Sequence, residues 1–311
     1  MLAIKNSSHL NIISPNTNKV FSLITKDLEN KEIKSFSNIK DLKSLLYSLF
    51  KQKQFNSSSN NYILQLIKNN PTLKNIGDIS ITIKELLTLT KDNKDLSYLD
   101  KLLKSFATNI NDSKNLNLQQ KFQNSGIFLE SKLKYLNQDN YIKDILTNDL
   151  KSVLLKTNNN FKNTSHEVEL TKHIDKLLLQ IDYHQLISYI TDSSSLFIPF
   201  SWDLLKKGDI QIKNLKNNKF FCDINLTLKE YGELNLKLTL YEKNQLNIHI
   251  YSNNKNLKKL IKENISTLRS ALIELNIIPK EIKTFTIKEN LKSSPYQDID
   301  DNLNLGFEAK A

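Results

Sequence analysis

The chain has 311 residues, with 44 Lys+Arg against 33 Asp+Glu and a formal net charge of +11. An apolar fraction of 39% can still build packed cores, and only five Gly and five Pro exclude collagen-like and Pro/Gly-rich classes. The glycines, at 77, 126, 208, 232 and 306, cannot compose G-x-x-x-x-G-K-[ST] or G-x-G-x-x-G, which excludes a P-loop NTPase and an ordinary Rossmann enzyme.

In chain order, residues 1–37 show no helical period. From Asn38 an apolar stripe of Ile39, Leu42, Leu45, Leu46, Leu49 and Phe50 predicts a helix. After the polar loop 52–62, a short helix around 60–69 should end before Pro71. Two more are expected, one from Asp78 or Ser80 and one from Asp95 with Leu96, Leu99, Leu102, Leu103 and Phe106 in register. A helix over 115–136 with a break at Gly126, and another over 139–156, complete a helical region at 38–156. The tract 157–165, TNNNFKNTS, reads as a polar linker, and 166–195 as one amphipathic helix with its end punctuation.

Beyond Ser195 the period changes from 3.6 to 2. SLFIPFSW is extended, and Lys206-Lys207-Gly208-Asp209 is expected as a turn between two short strands. Ile224, Leu226 and Leu228, then Leu234, Leu236, Leu238 and Leu240, then Leu246, Ile248 and Ile250 predict three half-buried strands. Leu257 to Leu275 predict a five-turn helix stopped before Pro279, and 281–287 a closing strand. The fold class is therefore α+β. A helical N-terminal half precedes a small antiparallel-sheet-plus-helix domain at 196–288, with a tail at 289–311.

Chemistry-bearing residues do not form a constellation. His166, His173 and His184 are spaced by 7 and 11, whereas two ligands on one helix face need i, i+3 or i+4, and His166-Glu167 lacks the second His of H-E-x-x-H because Leu170 stands there. The single Cys222 excludes an internal disulfide or a Cys-based zinc cluster and reads as a small core hydrophobe at a strand start. Asp298, Asp300 and Asp301 lack the Gly and Glu of a calcium loop. Trp202 beside Pro199 and Phe200 is either a ligand platform or core packing. No catalytic, cofactor-binding or metal-binding residue is assigned, and a binding or assembly role is expected. An enzyme site around Cys222 and His249 is the third-ranked alternative.

The basic excess is almost entirely lysine, Arg269 being the exception, and it is interleaved with acids. Nucleic-acid readers favour Arg for its bidentate fork. A nucleic-acid-associated protein is therefore the second-ranked reading, and the expectation is no nucleic-acid partner. No apolar run approaches 18 residues and the N-terminus lacks a cleavable secretory pattern, so no membrane insertion is expected and a cytoplasmic site of synthesis is.

One resemblance is carried by residues 220–287. The stretch INLTLKEYGELNLKLTLYEKNQLNIHIYS followed by its helix resembles the C-terminal domain of bacterial flagellar hook-length control proteins. Leu226 and Leu228 match the family's first strand, Gly232 its glycine, Leu234, Leu236 and Leu238 the second strand, and Leu246, Ile248 and Ile250 the third. Leu257, Ile261, Leu268 and Leu272 match its helix. The family proline is replaced near Lys229-Glu230, Tyr231 stands for a leucine, and Asn276 replaces a glycine, which a left-handed residue there tolerates. Upstream, FQNSGIFLESKLKYL (122–136) is similar to a segment preceding that domain in some relatives.

The resemblance implies a non-enzymatic protein made in the cytoplasm and secreted through the flagellar type III apparatus, with residues 1–37 as an export signal. It implies contact with the cytoplasmic domain of the export-gate switch protein, and with hook and hook-cap proteins. The implied contact residues are Gly232, Leu234, Leu236, Ile248, Leu257 and Leu268. Helix advances about 1.5 Å per residue against roughly 3.3 Å for extended chain. A helical 38–156 would thus measure hook length only if it unfolds on export; otherwise the chain is a paralogue that does not measure.

Overall fold

The computed structural model describes residues 19, 20, 23, 64, 67, 70–74, 76–91, 93–110, 117–134, 139–160, 167–191, 193–215 and 219–287. The expected helix from residue 38, the loop at 52–62, the export-signal segment 1–37 and the tail 289–311 lie outside these residues, apart from Lys19, Val20 and Leu23.

A helical turn at Pro71–Lys74 has proline first, where a missing N–H costs nothing. Helix α1 (Ile79–Thr90) starts at Asp78, whose carboxylate accepts from the Ser80 N–H at 2.8 Å. A 3₁₀ turn at Lys94–Leu96 leads into α2 (Ser97–Phe106). The helix expected over 115–136 is two short ones, α3 (Leu118–Gln123) and α4 (Leu129–Lys134), broken at Gly126 with φ +89°. Helices α5 (Asp139–Asn148) and α6 (Leu150–Asn160) follow, separated at Asp149, which accepts from the Lys151 N–H at 3.1 Å. Helix α6 runs into the tract read as a linker because tertiary partners hold its end. Thr157 is buried, and Asn158 Nδ2 donates to Asp175 at 3.0 Å.

Helix α7 (Glu167–Thr191) is the axis of this half. Ile174, Leu177, Leu178 and Ile181 are at most 1% exposed and share one core with Leu86, Leu99, Leu103, Leu150 and Leu154. Each such side chain contributes about 1.5–3 kcal/mol by leaving water.

The C-terminal half is one six-stranded sheet in sequential order: β1 (Ser194–Phe197), β2 (Leu205–Leu215), β3 (Lys219–Leu228), β4 (Gly232–Tyr241), β5 (Gln245–Ser252) and β6 (Ile278–Phe285). The first four pairings are antiparallel and β5–β6 is parallel, reached through α8 (Lys255–Glu263) and α9 (Ile265–Glu274). The fold is α+β, as the periodicities indicate.

Three local readings need correction. Lys206–Asp209 is not a turn but lies inside β2, with a register shift between Leu205 and Lys207. Gly208 is there for space: a Cβ would lie 2.8 Å from Ile198 Cγ1 and 2.9 Å from Leu226 Cδ2. The five-turn helix is two, because Asn264 (φ −103°, ψ 6°) ends α8 and precedes α9. The closing strand starts earlier, at Ile278, and includes Pro279, which an edge strand accommodates. Asn276 does adopt the left-handed conformation expected of it, at φ 59°.

Two glycines separate strain from space. At Gly126 a Cβ would meet Lys151 Cβ at 2.6 Å and Lys151 N at 2.9 Å, whereas at Gly232 (φ +74°) nothing among the described residues lies within 4 Å. Gly232→Ala should lose about 1–2 kcal/mol, the left-handed penalty alone. Gly126→Ala should lose more than that, since backbone must also shift. Urea unfolding of the two variants checks the order.

Candidate functional site

The sheet has two chemically distinct faces because its residues alternate in register. On one, Ile210, Ile224, Leu236 and Ile250 form a row, and Ile212, Cys222, Leu238, Ile248 and Ile282 the next. Leu228, Leu234, Leu246, Ile248, Ile250 and Leu257 are its buried core, flanked by half-buried Leu236, Leu238, Ile261 and Leu272. Helix α8 is held by Asn254, whose side chain accepts from the Leu257 N–H at 3.0 Å.

Of the six residues implied as a contact surface, Leu234, Ile248 and Leu257 lie in this shared core and Leu236 is half-buried beside it. Gly232 is exposed at the β3–β4 turn, and Leu268 is exposed on α9. No side chain of α9 is fully buried. Leu268, Ile273 and Leu275 stand 37%, 58% and 70% exposed, joined by Leu260 on α8 and Ile278 on β6. The helical layer thus carries more apolar surface than the sheet beneath it covers. The exposed leucines are legible as a helical stripe in the sequence; the surplus becomes apparent only once the sheet's width is known.

The opposite face is polar. Phe197, Asp209, Asn225, Asn235, Tyr251 and Phe285 align across all six strands, with Ser195, Gln211, Asp223, Lys237, His249 and Lys283 in the adjacent row. This face floors a cleft of ≈ 970 Å³ walled by α7 and residues 76–81. Sequence reasoning did not single out its acids, although Asp209, Asp223 and Lys237 occupy the positions between the aliphatic ones. His184 projects from α7 into the wall and its Nδ1 lies 3.0 Å from Ser195 Oγ. Burial and Lys207 push its imidazole down to about 4, so it is neutral near pH 7.

Other candidates are dispersed. Cys222 is half-buried on the apolar face, and burial pushes its thiol up to about 12, which opposes thiolate chemistry. His249, 3.7 Å from Glu281, is on the polar face, so the alternative Cys222–His249 site is not assembled. His173 Nδ1 lies 3.1 Å from Glu85, and Trp202 packs against the sheet core. His166, Asp298, Asp300 and Asp301 lie outside the described residues. No group of three or more His, Cys, Asp or Glu among the described residues could hold a metal ion, and no described helix is long and apolar enough to cross a membrane.

The SGIFLESKL segment is structural. Glu130, Asp182 and Gln185 surround the buried Lys151 ammonium; Asp182 lies 2.8 Å away, Gln185 Oε1 2.7 Å, and Glu130 pairs with it directly. Gln185 Nε2 donates back to the carbonyls of Gly126 (3.2 Å) and Ile127 (3.0 Å). Burial pulls Lys151 down, but the carboxylates of Asp182 and Glu130 outweigh it and hold its pKa above the usual lysine value. Next to it, Lys132 meets the fully buried Asp149 at 3.1 Å.

The C-terminal region is thus an amphipathic meander backed by two helices that leave leucines in solvent. Residues 208–291 match the family model of the flagellar hook-length control protein FliK. The match begins inside β2 and takes in β3–β5, α8, α9 and β6, so the C-terminal region is similar to the family its sequence pattern resembles. No curated protein and no solved structure matches the chain.

The buried ionisable groups give opposed pH dependences. His184, depressed to about 4, contributes stability that is complete above about 6.5 and lost as pH falls through 4. Asp149 and Asp223, each pushed up to about 6 chiefly by burial, contribute stability that is present below the ordinary carboxylate range and lost as pH rises through 6. In His184→Gln only the carboxylate contribution remains. Its stability relative to wild type should rise by about 1.4 kcal/mol per pH unit on acidification between these values. Urea unfolding at several pH values checks the slope, whatever the variant's absolute stability.

Proposed function

We propose that this chain acts in flagellar hook-length control and in switching the substrate specificity of the type III export apparatus, by protein–protein contact and without bond chemistry. The observation that carries the reading is the family match at 208–291, which begins inside β2 and takes in β3 to β6 with both helices between β5 and β6. The partner in this reading is the cytoplasmic domain of the export-gate switch protein, with hook and hook-cap proteins met during export. The chain is cytoplasmic until it leaves through the flagellar apparatus.

The division of the six implied contact positions supports a contact on the helical layer and the β3–β4 turn. Leu268 and Gly232 face solvent, while Leu234, Ile248 and Leu257 shape the surface from within. Exposed aliphatics of this kind mark interaction sites when they are contiguous.

Deletion of the gene, with hook lengths measured by electron microscopy on purified basal bodies, tests the role. The expected outcome is long, uncontrolled hooks lacking filament; hooks of normal narrow length bearing filaments would overturn it. Leu268→Asp should reproduce the deletion phenotype while leaving the unfolding midpoint within about 0.5 kcal/mol of wild type, as surface changes do. Leu234→Asp should instead unfold the domain, because it buries an unpaired charge.

A further inference from the structure

The polar cleft has its own chemistry, separate from the helical surface discussed above. Asp209 and Asp223 project from neighbouring strands onto its floor, where Gln211 pairs with Asp223 and Asp209 with Asn225. Asp209 is partly satisfied, since Asn225 Nδ2 donates to its Oδ2 at 3.2 Å. Asp223 is not. It is only 7% exposed, lines the cleft, and its buried Oδ1 has no hydrogen-bond donor among the described residues.

A buried carboxylate oxygen without a donor carries the full cost of lost hydration. The charge of Lys237 on the adjacent strand favours the ionised form of Asp223 but supplies no hydrogen bond to Oδ1, its Nζ sitting 5.9 Å from the centroid of the Tyr251 ring. Burial is the main influence that raises the Asp223 pKa, and the neighbouring Asp209 charge adds to it against the opposing pull of Lys237. Lys206 and Lys207 line the cleft as well, but no ammonium among the described residues hydrogen-bonds Asp223 Oδ1, which still lacks a donor. A metal ion would find too few ligands, because no group of three His, Cys, Asp or Glu forms among the described residues. The wall beside the acids offers Tyr183, Phe197 and Ile198, a lining suited to an aliphatic stem.

We propose that this cleft is a binding site for an alkylammonium or guanidinium group on an aliphatic stem, held by Asp223 and Asp209. Such a group donates a charge-assisted hydrogen bond to Asp223 Oδ1, separates the two like charges, and lays its methylenes against Phe197 and Ile198. The cleft's volume is in the range of small-ligand sites and ample for one such side chain.

Two sources can present that chemistry. One is an external lysine, arginine or free amine. The other is this chain: Ile287 is at the cleft, and Lys288 and Lys292 follow it in the sequence.

Titration of the full-length protein with 1,5-diaminopentane and with N-acetyl-arginine amide, followed by calorimetry, tests the site, with glutarate as the control of matching length and opposite charge. Saturable binding of both cations and none of glutarate is expected. Asp223→Asn should weaken the cations about tenfold, the loss of one charge-assisted bond. Lys237→Met should tighten them about threefold by removing a competing charge, a gain that a misfolded variant could not produce. Absence of saturable amine binding, or equal affinity in wild type and Asp223→Asn, would overturn the proposal. Lys288→Ala/Lys292→Ala separates the sources: tighter binding identifies these lysines as the resident occupant, and unchanged binding identifies an external one.

Discussion

Burial of the Lys151 ammonium organises the helical half. An ion of that size costs several kcal/mol to remove from water, so its site must be complete before the surrounding helices can close. Glu130 reaches it from α4, and Asp182 and Gln185 from α7, while Lys151 itself is on α6. Three helices are thereby fixed at one point, and Gln185 extends the network to the carbonyls of Gly126 and Ile127. The break between α3 and α4 belongs to the same constraint, since only glycine can turn there with the Lys151 backbone so close. Pairs of this kind add little net stability over an apolar core, whereas removing one partner leaves a buried charge uncompensated and is strongly destabilising.

The position of α7 in turn sets the sheet. Its C-terminal turn is tied to β1: the Ser195 N–H donates to Ser188 Oγ at 2.7 Å, and Ser188 Oγ donates to the His184 carbonyl at 2.7 Å. Leu196 and Phe197 join the helical core, so β1 belongs to both halves. With β1 fixed, the alternation along β2 to β5 directs aliphatics to one face and Asp209, Asp223, Lys237 and His249 to the other. One face meets α8 and α9, and the other becomes the floor of the cleft. The proposed partner surface and the cation site are therefore opposite sides of one sheet.

Much of this was legible from periodicity. The alternation of Leu234 to Leu240 and Leu246 to Ile250 identified the central strands, and the stripe along α7 identified the longest helix. Legibility failed where a residue's role depends on a distant neighbour. Gly208 resembled a turn because glycine is commonest there, but it makes room for Ile198 and Leu226. Asn158 resembled part of a linker because its partner, Asp175, lies on a different helix. Of the cleft's aspartates, Asp209 resembled part of the same turn as Gly208, and Asp223 appeared as the polar half of an alternating strand, where most such residues meet water.

By itself the sequence determined the fold class, the strand and helix content of the C-terminal region and its resemblance to hook-length control proteins, because these follow from spacings within a few residues. It also determined that glycine-based phosphate loops and an internal disulfide are excluded, which is a matter of counting. Only the tertiary structure decided which leucines are core and which remain outside, since that depends on how much of α9 the sheet can cover. It likewise decided that Cys222 and His249 face opposite ways and that Asp223 ends in a buried oxygen with no donor among the described residues. Burial is a property of what packs opposite a residue, and the residues that face each other across this sheet and its cleft are far apart in the chain.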